Sequence, residues 1–261
     1  MKKNNPLISI IMNCHNGDKY LQKSLKSVFS QSYKKWELIF LNNQSQDRSK
    51  AIILGYRDKK IRYFETKSLI NLYKARNLAI TKARGKYICF LDTDDWWTKD
   101  KLKFQINAFK KNQDYKFLFS NYYLYFQDSK IKKIFFNKKI NSGNITQYLL
   151  NDYKVGILSV MMERRLFKKK KFNSKYNIIG DFDYFINLSL KEKFLCINKP
   201  LAFYRFHSRN YSKNANLHFQ EFDRWLKQNS TNFTKLGFKL RSLKIFKIKL
   251  FLKSFLKKLG V

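Results

Sequence analysis

KYICFLDTDDWW, at residues 86–97, is the stretch around which the rest of the chain can be arranged. Its first half is a short apolar run after Gly85, which is typical of a buried strand. Its second half places Asp92, Asp94 and Asp95 at the carboxyl end of that strand. Packing alone gives no reason to crowd like charges, because each one disfavours ionisation of its neighbours. Two interpretations follow: a solvated acidic turn before the next helix, or ligands for a divalent cation that also binds substrate phosphates.

Composition narrows the class of protein. The chain has 261 residues, of which 44% are apolar and 17% aromatic, so it can form a large α/β domain and is not disordered. No apolar run approaches the roughly 18–20 residues that span a bilayer, and we expect a cytoplasmic protein. The net charge of +37 has two interpretations. The protein binds a polyanionic partner, either an anionic membrane surface or a nucleic acid, or the charge reflects only a lysine-rich composition. Lysines outnumber arginines, the residues preferred for base recognition, so no nucleic-acid partner is expected.

Strands and helices alternate over the first part of the chain. Apolar runs predict strands at 7–12, 36–41, 61–64 and 87–91. Helical spacing predicts helices at 20–31, 45–55 and 72–83. This alternation predicts a parallel, doubly wound sheet.

Polar segments follow three of these strands, at 13–16, 42–45 and 92–95. Ligands of open α/β sheets bind in the crevice outside the carboxyl ends of the strands, so these segments suit a nucleotide diphosphate held through a metal. The candidate nucleotide-binding residues in them are Asn13, His15, Asn16, Asn42, Asn43, Asp92 and Thr93.

The second part of the chain is less regular. Helices are predicted at 99–112, 145–153 and 180–193, and strands at 115–126, 131–136, 156–162 and 201–207. The helix at 180–193 begins with a second D-x-D, at Asp181 and Asp183, where acids also favour a helix N-terminus for structural reasons. Arg205 and His207 end the last strand, and both could face a diphosphate.

The tail is basic and amphipathic. From Lys235 onward it contains nine Lys or Arg residues and no Asp or Glu. Apolar residues fall on one helical side at positions Ile245, Ile248, Leu252, Phe255, Leu256 and Leu259. Such a helix can lie on an anionic bilayer or pack back on the domain, and the sequence leaves both possibilities open.

Ordered motifs in the chain resemble glycosyltransferase family 2, a family of inverting enzymes with a GT-A type fold that use nucleotide-activated sugars. The similarity covers about residues 6 to 210. It is carried by the motifs at 13–16, Gln31-Ser32-Tyr33, 41–47, Ala75-Arg76-Asn77, 85–95, 180–183 and Tyr204-Arg205-Phe206-His207. The resemblance implies a Rossmann-like GT-A nucleotide-binding fold with a mixed sheet. It also implies a glycosyltransferase domain at 1–214, with a nucleotide-sugar half at 1–112 and an acceptor half at 113–214, followed by a basic helical tail at 215–261.

The resemblance also assigns roles to individual residues. It implies Asp181 as the general base, Asp94 and His207 as ligands of Mn²⁺ or Mg²⁺, and Arg76 and Arg205 as donors to the nucleotide side. Three departures stand out. Asn42 and Asn43 replace an Asp pair that contacts base and ribose, His15 replaces an aromatic residue, and Gly180 replaces the first acid of Glu-Asp.

The implied reaction moves a sugar, from a UDP-hexose or UDP-N-acetylhexosamine, to a hydroxyl of a glycan or lipid-linked glycan. The implied setting is bacterial lipopolysaccharide or capsule biosynthesis, in the cytoplasm or peripherally on the inner face of the cytoplasmic membrane. The acidic loop alone would also suit a metal-dependent sugar-nucleotide hydrolase or nucleotidyltransferase. The charge alone would suit a basic nucleic-acid- or membrane-binding protein without catalysis. The sequence indicates no oligomeric state.

Overall fold

The computed structural model describes residues 5–210 and 213–258. Leu259, which is predicted to lie on the apolar side of the tail helix, is outside the described residues. The strands are β1 (Ile8–Cys14), β2 (Trp36–Asn42), β3 (Ile61–Glu65), β4 (Tyr87–Phe90), β5 (Trp96–Trp97), β6 (Phe117–Phe126), β7 (Lys132–Ile134), β8 (Val160–Glu163) and β9 (Phe194–Phe206). The helices are α1 (Asp18–Phe29), α2 (Ser49–Gly55), α3 (Leu72–Thr81), α4 (Lys101–Lys111), α5 (Thr146–Asn151), α6 (Leu166–Lys169), α7 (Gly180–Ser189), α8 (Ala215–Lys235) and α9 (Arg241–Lys258).

The described strands form one mixed sheet in the order β3-β2-β1-β4-β8-β6-β9-β5, with β7 paired to β6. The strands β3, β2, β1 and β4 are parallel, as the alternation of strands and helices predicts. Beyond β4 the sheet becomes mixed, because β8 pairs antiparallel with both β4 and β6. The predicted mixed α/β fold is therefore confirmed.

Helices cover both faces of the sheet because successive side chains of a strand point to opposite faces. Ile10 of β1 belongs to an apolar cluster with Leu25 of α1 and Ile106 of α4. Ile11, the next residue, belongs to a second cluster that includes residues of α3, α7 and α8. The inner strands β1 and β2 are buried almost throughout, which explains their continuous apolar sequences.

Two predicted strands differ from the observed ones. The strand predicted at 201–207 begins already at Phe194, and its pairing with β6 shifts register opposite Pro200, which has no N–H to donate. The strand predicted at 156–162 begins only at Val160. A 3₁₀ turn precedes it, because the Ser159 N–H and hydroxyl both donate to the Gly156 carbonyl, at 2.9 and 2.6 Å.

The path of β9 positions the site. It runs parallel to β6 and pairs antiparallel with β5, the short strand that follows the acidic loop. This pairing brings Arg205 and His207 to the carboxyl end of β4, and they lie beside Asp94 and Asp95.

The C-terminal helices form a hairpin on the domain. Trp225 of α8 and Leu250 of α9 are buried in the same apolar cluster as the sheet. Part of the tail therefore packs back, while other apolar side chains of α9 stay exposed. Within the described residues, no helix combines the length and apolar character needed to cross a membrane.

Candidate active site

The acidic loop at 92–95 turns sharply after β4, since the Asp95 N–H donates to the Asp92 carbonyl at 3.2 Å. A second loop, from β1 into α1, reaches it closely. A Cβ atom on Gly17 would lie 2.7 Å from the Thr93 hydroxyl oxygen, so glycine at this position lets the two loops approach this closely. The three carboxylates of the turn then point to three different partners.

Asp92 bonds Arg76. Nη2 of Arg76 lies 2.7 and 2.9 Å from the two carboxylate oxygens of Asp92. The arginine is buried on α3, while a third of the Asp92 side chain stays exposed. Burial alone would lower the pKa of Arg76, but the adjacent carboxylate raises it above the ordinary value. The pair is thus a fixed ion pair with one open carboxylate face.

Asp94 bonds His207. Nε2 of His207 lies 3.0 Å from Oδ2 of Asp94, and the amide nitrogen of Asn210 lies 3.5 Å from the same oxygen. The Arg209 N–H donates to Nδ1 of His207 at 3.2 Å. That bond assigns the lone pair to Nδ1, so a neutral His207 carries its hydrogen on Nε2 and donates it to Asp94.

Asp95 is the structural member of the three. It is buried, and Oδ1 accepts the Arg205 N–H at 2.8 Å. Burial, together with the charges of Asp94 and Asp92, raises the pKa of Asp95 well above the ordinary carboxyl value. We conclude that Asp95 holds the acidic turn against β9.

The Arg205 guanidinium lies in an aromatic pocket. Its Cζ is 4.3 Å from the ring centre of Tyr20 and 4.6 Å from that of Trp96. Nε donates to the Asp94 carbonyl at 2.7 Å, and Nη1 donates to the Gln127 side chain. Arg205 therefore braces the acidic turn from the β9 side, with its cation stacked on the rings.

The two asparagines after β2 bond the neighbouring 65–70 segment. The amide of Asn42 donates to Glu65 at 3.0 Å, and its oxygen accepts the Ser45 N–H. The Asn43 amide donates to the Ile70 carbonyl at 2.7 Å, while its oxygen accepts the Ile70 N–H. Both side chains therefore hold the loop after β2 against the 65–70 segment.

The loop after β1 is folded onto the loop after β2. The His15 ring and the Asn43 carbonyl are 2.9 Å apart, and Asn16, at a φ of 51°, accepts the Gln46 N–H. His15 and Asn16 are exposed. The side-chain nitrogen and oxygen of Asn13 are buried and have no hydrogen-bond partner among the described residues. A buried amide of this kind is a candidate for contact with a ligand.

Asp181 lies in the first turn of α7. Its Oδ1 accepts the Tyr73 hydroxyl and the Phe182 N–H, both at 2.9 Å. Burial raises the pKa of Asp181, although Arg76 and the Tyr73 hydroxyl act in the opposite direction. Gly180 leaves room for the Tyr73 ring, because a Cβ here would lie 2.5 Å from it. Gly180, which replaces the first acid of the family's Glu-Asp, therefore leaves space for the Tyr73 ring.

The structure links most of the predicted site residues, and it adds several that the sequence did not single out. Arg76 of α3 connects the two carboxylates, since it bonds Asp92 and acts electrostatically on Asp181. The additional residues are Tyr20, Tyr73, Gln127 and Asn210. Tyr73 had one available signal, because it precedes Arg76 by three positions on a predicted helix and so shares its face.

Carboxylate and imidazole groups, which are donor types that divalent cations accept, meet in this site. Among the described residues, no group of three or more His, Cys, Asp or Glu side chains could hold a metal. Asp94 Oδ2 and His207 Nε2 nonetheless lie 3.0 Å apart. Neighbouring ligands of an octahedral ion with bonds of about 2.1 Å are separated by about 3.0 Å, and such ions take their other ligands from phosphates and water.

Comparison with known sequences identifies the family. The family model of glycosyl transferase family 2 matches residues 9–197. The chain is 31% identical over 184 residues to the Escherichia coli UDP-Glc:alpha-D-GlcNAc-diphosphoundecaprenol beta-1,3-glucosyltransferase WfgD, covering 70% of this chain and 69% of that protein. It is 30% identical over 212 residues to WfaP, an E. coli enzyme of the same description, covering 80% of each. An uncharacterized glycosyltransferase of Haemophilus influenzae is 33% identical over 217 residues, with 81% and 84% covered.

Solved structures share the architecture. S. aureus TarS in complex with UDP-GlcNAc superposes with a TM-score of 0.65 at 16% identity, over 84% of this chain and 66% of that one. The mannosyltransferase PcManGT from Pyrobaculum calidifontis, in complex with GDP-Man and Mn²⁺, gives 0.61 at 15% identity, over 86% and 65%. The fold is that of the GT-A type glycosyltransferases. The chain belongs to glycosyltransferase family 2, as its motifs predicted.

Proposed function

We propose that this enzyme transfers a sugar from a UDP-sugar to a hydroxyl of a lipid-linked glycan and inverts the anomeric centre, with Asp181 as the general base. The observation that carries the proposal is Asp181 itself, a carboxylate with a raised pKa, on a different element from the acidic loop and connected to it through Arg76. Support for the donor and the acceptor comes from the names of WfgD and WfaP. Because PcManGT binds GDP-Man, the identity of the donor nucleotide, UDP or GDP, is the first thing to test.

A single displacement needs one base and no protein nucleophile. An acceptor hydroxyl is a weak nucleophile, and a base with a pKa nearer to neutrality removes its proton more effectively. The hydrogen bonds from Tyr73 and Phe182 both go to Oδ1 of Asp181, so we assign proton removal to Oδ2. Separation of this base from the acidic loop suits transfer better than the paired carboxylates of a hydrolase.

Tyr73 can adapt to both protonation states of the base. Its hydroxyl lies 2.9 Å from Oδ1 of Asp181 and 3.0 Å from the Ile178 carbonyl, and it has one hydrogen to donate. While Asp181 is ionised, donation to the carboxylate stabilises the charge. After Asp181 has accepted the proton, the Tyr73 hydrogen can turn to the Ile178 carbonyl.

The donor is assigned to the crevice beside the acidic turn. Asp92, fixed by Arg76, presents its open face to the ribose or the metal, and Asn13, His15, Asn16 and Thr93 line the nucleotide side. Asn42 and Asn43 act indirectly in this proposal, by holding the loop after β2 against the 65–70 segment.

Asp94 and His207 would hold Mn²⁺ or Mg²⁺. The bound ion would stabilise the negative charge of the leaving diphosphate as a Lewis acid. For Nε2 to bind a cation, His207 must carry its hydrogen on Nδ1, and the Arg209 N–H then loses its acceptor. Asn210 stays next to Asp94 and can hold the carboxylate through its amide.

Helix α9 is proposed to lie on an anionic bilayer, where a lipid-linked acceptor resides. Seven apolar side chains of this helix are between 40% and 56% exposed, and they are Ile245, Phe246, Ile248, Phe251, Leu252, Phe255 and Leu256. The helix also carries many lysines and no acid. Anionic headgroups complement that charge, and acyl chains can take the apolar side chains.

The deciding experiment is a panel of UDP- and GDP-sugars with Mn²⁺ and a GlcNAc-diphospholipid acceptor, with wild type beside Asp181→Asn. We expect transfer from a UDP-sugar with the anomeric configuration inverted. Transfer by Asp181→Asn should fall about 10²–10⁴-fold, the usual contribution of a general base. Donor hydrolysis that ignores the acceptor, or wild-type transfer by Asp181→Asn, would contradict the proposal.

A further inference from the structure

The backbone of residues 176–179, the segment that leads into α7, is bonded from two sides. On one side, the start of α3 donates to carbonyl groups of the segment. The amide of Asn71, the residue before α3, donates to the Tyr176 carbonyl at 2.9 Å, and the Tyr73 hydroxyl lies 3.0 Å from the Ile178 carbonyl. On the other side, a side chain of α8 accepts hydrogen bonds from N–H groups of the segment. Asp181 follows this segment by two residues, so whatever fixes the segment also fixes the base.

Glu221 of α8 accepts the N–H groups. Oε1 accepts from Asn177 at 2.6 Å, and Oε2 accepts from Ile178 at 2.8 Å and from Ile179 at 3.2 Å. The residue is only 2% exposed. A carboxylate buried to this extent is costly unless hydrogen bonds satisfy it. Three consecutive N–H groups do so here, whereas the ion pairs of α8 involve Asp223 instead.

The position of Glu221 also suits the start of α7. The residue before the helix, Ile179, supplies no side-chain cap. A negative charge near the N-terminus of a helix is stabilising, because the first N–H groups point toward it. Glu221 supplies that charge from a position 42 residues after Ile179 in the chain.

A second contact from α8 secures the other side of the base. Nε1 of Trp225 donates to Oδ1 of Asp183 at 2.9 Å, and both residues are buried. The Trp225 ring also packs edge-on against Phe182, with ring centres 4.8 Å apart. Asp181 therefore lies between two attachments to α8, one through Glu221 and one through Asp183.

We infer that Glu221 is a positioning residue for the reaction, which sets the place of the Asp181 carboxylate by holding residues 176–179. This inference rests on the proposed role of Asp181 as the base. It assigns a catalytic consequence to α8, which lies beyond the residues 9–197 matched by the family model. Glu221 itself is buried behind the segment and acts through Asp181.

The test is Glu221→Gln, which keeps size and one carbonyl oxygen but removes the charge and the second acceptor. The control is Asp223→Asn on the same helix, which removes an acid bonded to Lys227 and Lys247 and leaves residues 176–179 untouched. Steady-state rates are measured with the UDP-sugar that gives turnover. We expect kcat of Glu221→Gln to fall about 10–100-fold with the KM for donor little changed, as misplacement of a reacting group predicts.

Two further readouts separate positioning from general destabilisation. Amide hydrogen exchange should accelerate at residues 176–183 in Glu221→Gln and stay unchanged in Asp223→Asn. In an Asp181→Asn background, Glu221→Gln should have little further effect on the residual rate, because the base through which it acts is gone. Should Glu221→Gln fail to fold, Glu221→Asp takes its place, since it keeps the charge but draws the carboxylate back from the three N–H groups, and the same fall in kcat is expected.

Several outcomes would overturn the inference. They are a wild-type kcat in Glu221→Gln, unchanged exchange at residues 176–183, or an equal rate loss in both Asp181 backgrounds. The proposed function is contradicted by a separate result. If Asp181→Asn transfers sugar at the wild-type rate, Asp181 is not the general base, whatever the effect of Glu221→Gln. If Asp181→Asn is inactive and Glu221→Gln is fully active, only the inference about Glu221 is wrong.

Discussion

Nε2 of His207 lies 3.0 Å from Oδ2 of Asp94, although 113 residues separate them in the chain. His207 directly follows β9, whereas Asp94 lies in the loop after β4, and the pairing of β9 with β5 brings the two together. The pair offers one oxygen and one nitrogen at the spacing of neighbouring metal ligands. It is therefore the place where metal dependence can be tested directly.

We expect Asp94→Asn to weaken both metal binding and transfer. The neutral amide removes the charge that would attract the ion, and kcat/KM should fall about 10²–10³-fold, as when a group that stabilises transition-state charge is lost. Rates are measured over a Mn²⁺ series, and Mn²⁺ binding with UDP present is followed by electron paramagnetic resonance. Asp114→Asn, at an exposed acid away from the site, is the control. If the Mn²⁺ affinity of Asp94→Asn equals that of wild type, Asp94 is not a metal ligand.

The pH dependence of kcat should report the environment of Asp181. A base must be ionised, and burial raises the pKa of Asp181, so activity should fall at a higher pH than the ordinary Asp value of about 3.9 suggests. The hydroxyl of Tyr73 favours the ionised form. Tyr73→Phe therefore raises the pKa further, and the acidic limb of the profile should move to higher pH.

The measurement for Tyr73→Phe is kcat against pH at saturating donor. Tyr33→Phe is a suitable control, since the Tyr33 hydroxyl donates to the Pro6 carbonyl just before β1, at the other end of that strand from the site. A limb that stays in place in Tyr73→Phe, or moves to lower pH, would show that the hydroxyl does not stabilise the ionised base.

The exposed apolar side of α9 should bind anionic membranes. Ile248→Ser, Phe251→Ser and Leu252→Ser are combined in one variant, because each side chain is about half exposed and its loss spares the core. Burying such a side chain contributes about 1.5–3 kcal/mol, so flotation with vesicles rich in phosphatidylglycerol should fall at least about tenfold. Leu54→Ser, at an exposed position on α2, should bind as wild type. Equal binding by all three proteins would exclude α9 as the contact.

The first part of the fold was predictable because β1, β2 and β4 are buried, and their apolar sequences stand out. The first residue of β9 was not predictable. Asn198, Lys199 and Pro200 interrupt the apolar pattern at the register shift, and only pairing with β6 makes this stretch a strand. Tertiary pairing here overrides local pattern.

The site shows the same division. The sequence alone marks the acids at 92–95 as a cluster, since they are neighbours in the chain. It does not show that Asp95 is buried under Arg205, or that Asn43 bonds the 65–70 segment, because both depend on which loops meet. Glu221 was equally invisible, since its three bonds go to backbone N–H groups that carry no sequence signal.

Gly180→Ala tests whether the departure at this position is required by packing. The added Cβ would lie 2.5 Å from the buried Tyr73 ring, which also bonds Asp181. Overpacking of this kind costs about 1–3 kcal/mol, and displacement of Tyr73 should also lower kcat. Gly55→Ala is the matched control, because a Cβ there meets nothing within 4 Å in helix α2 and should leave stability equal or slightly higher. Unfolding by urea and kcat are measured for both variants. Equal stability and equal kcat in Gly180→Ala and wild type would mean that Tyr73 yields freely, and that its contact with Asp181 is dispensable for the reaction.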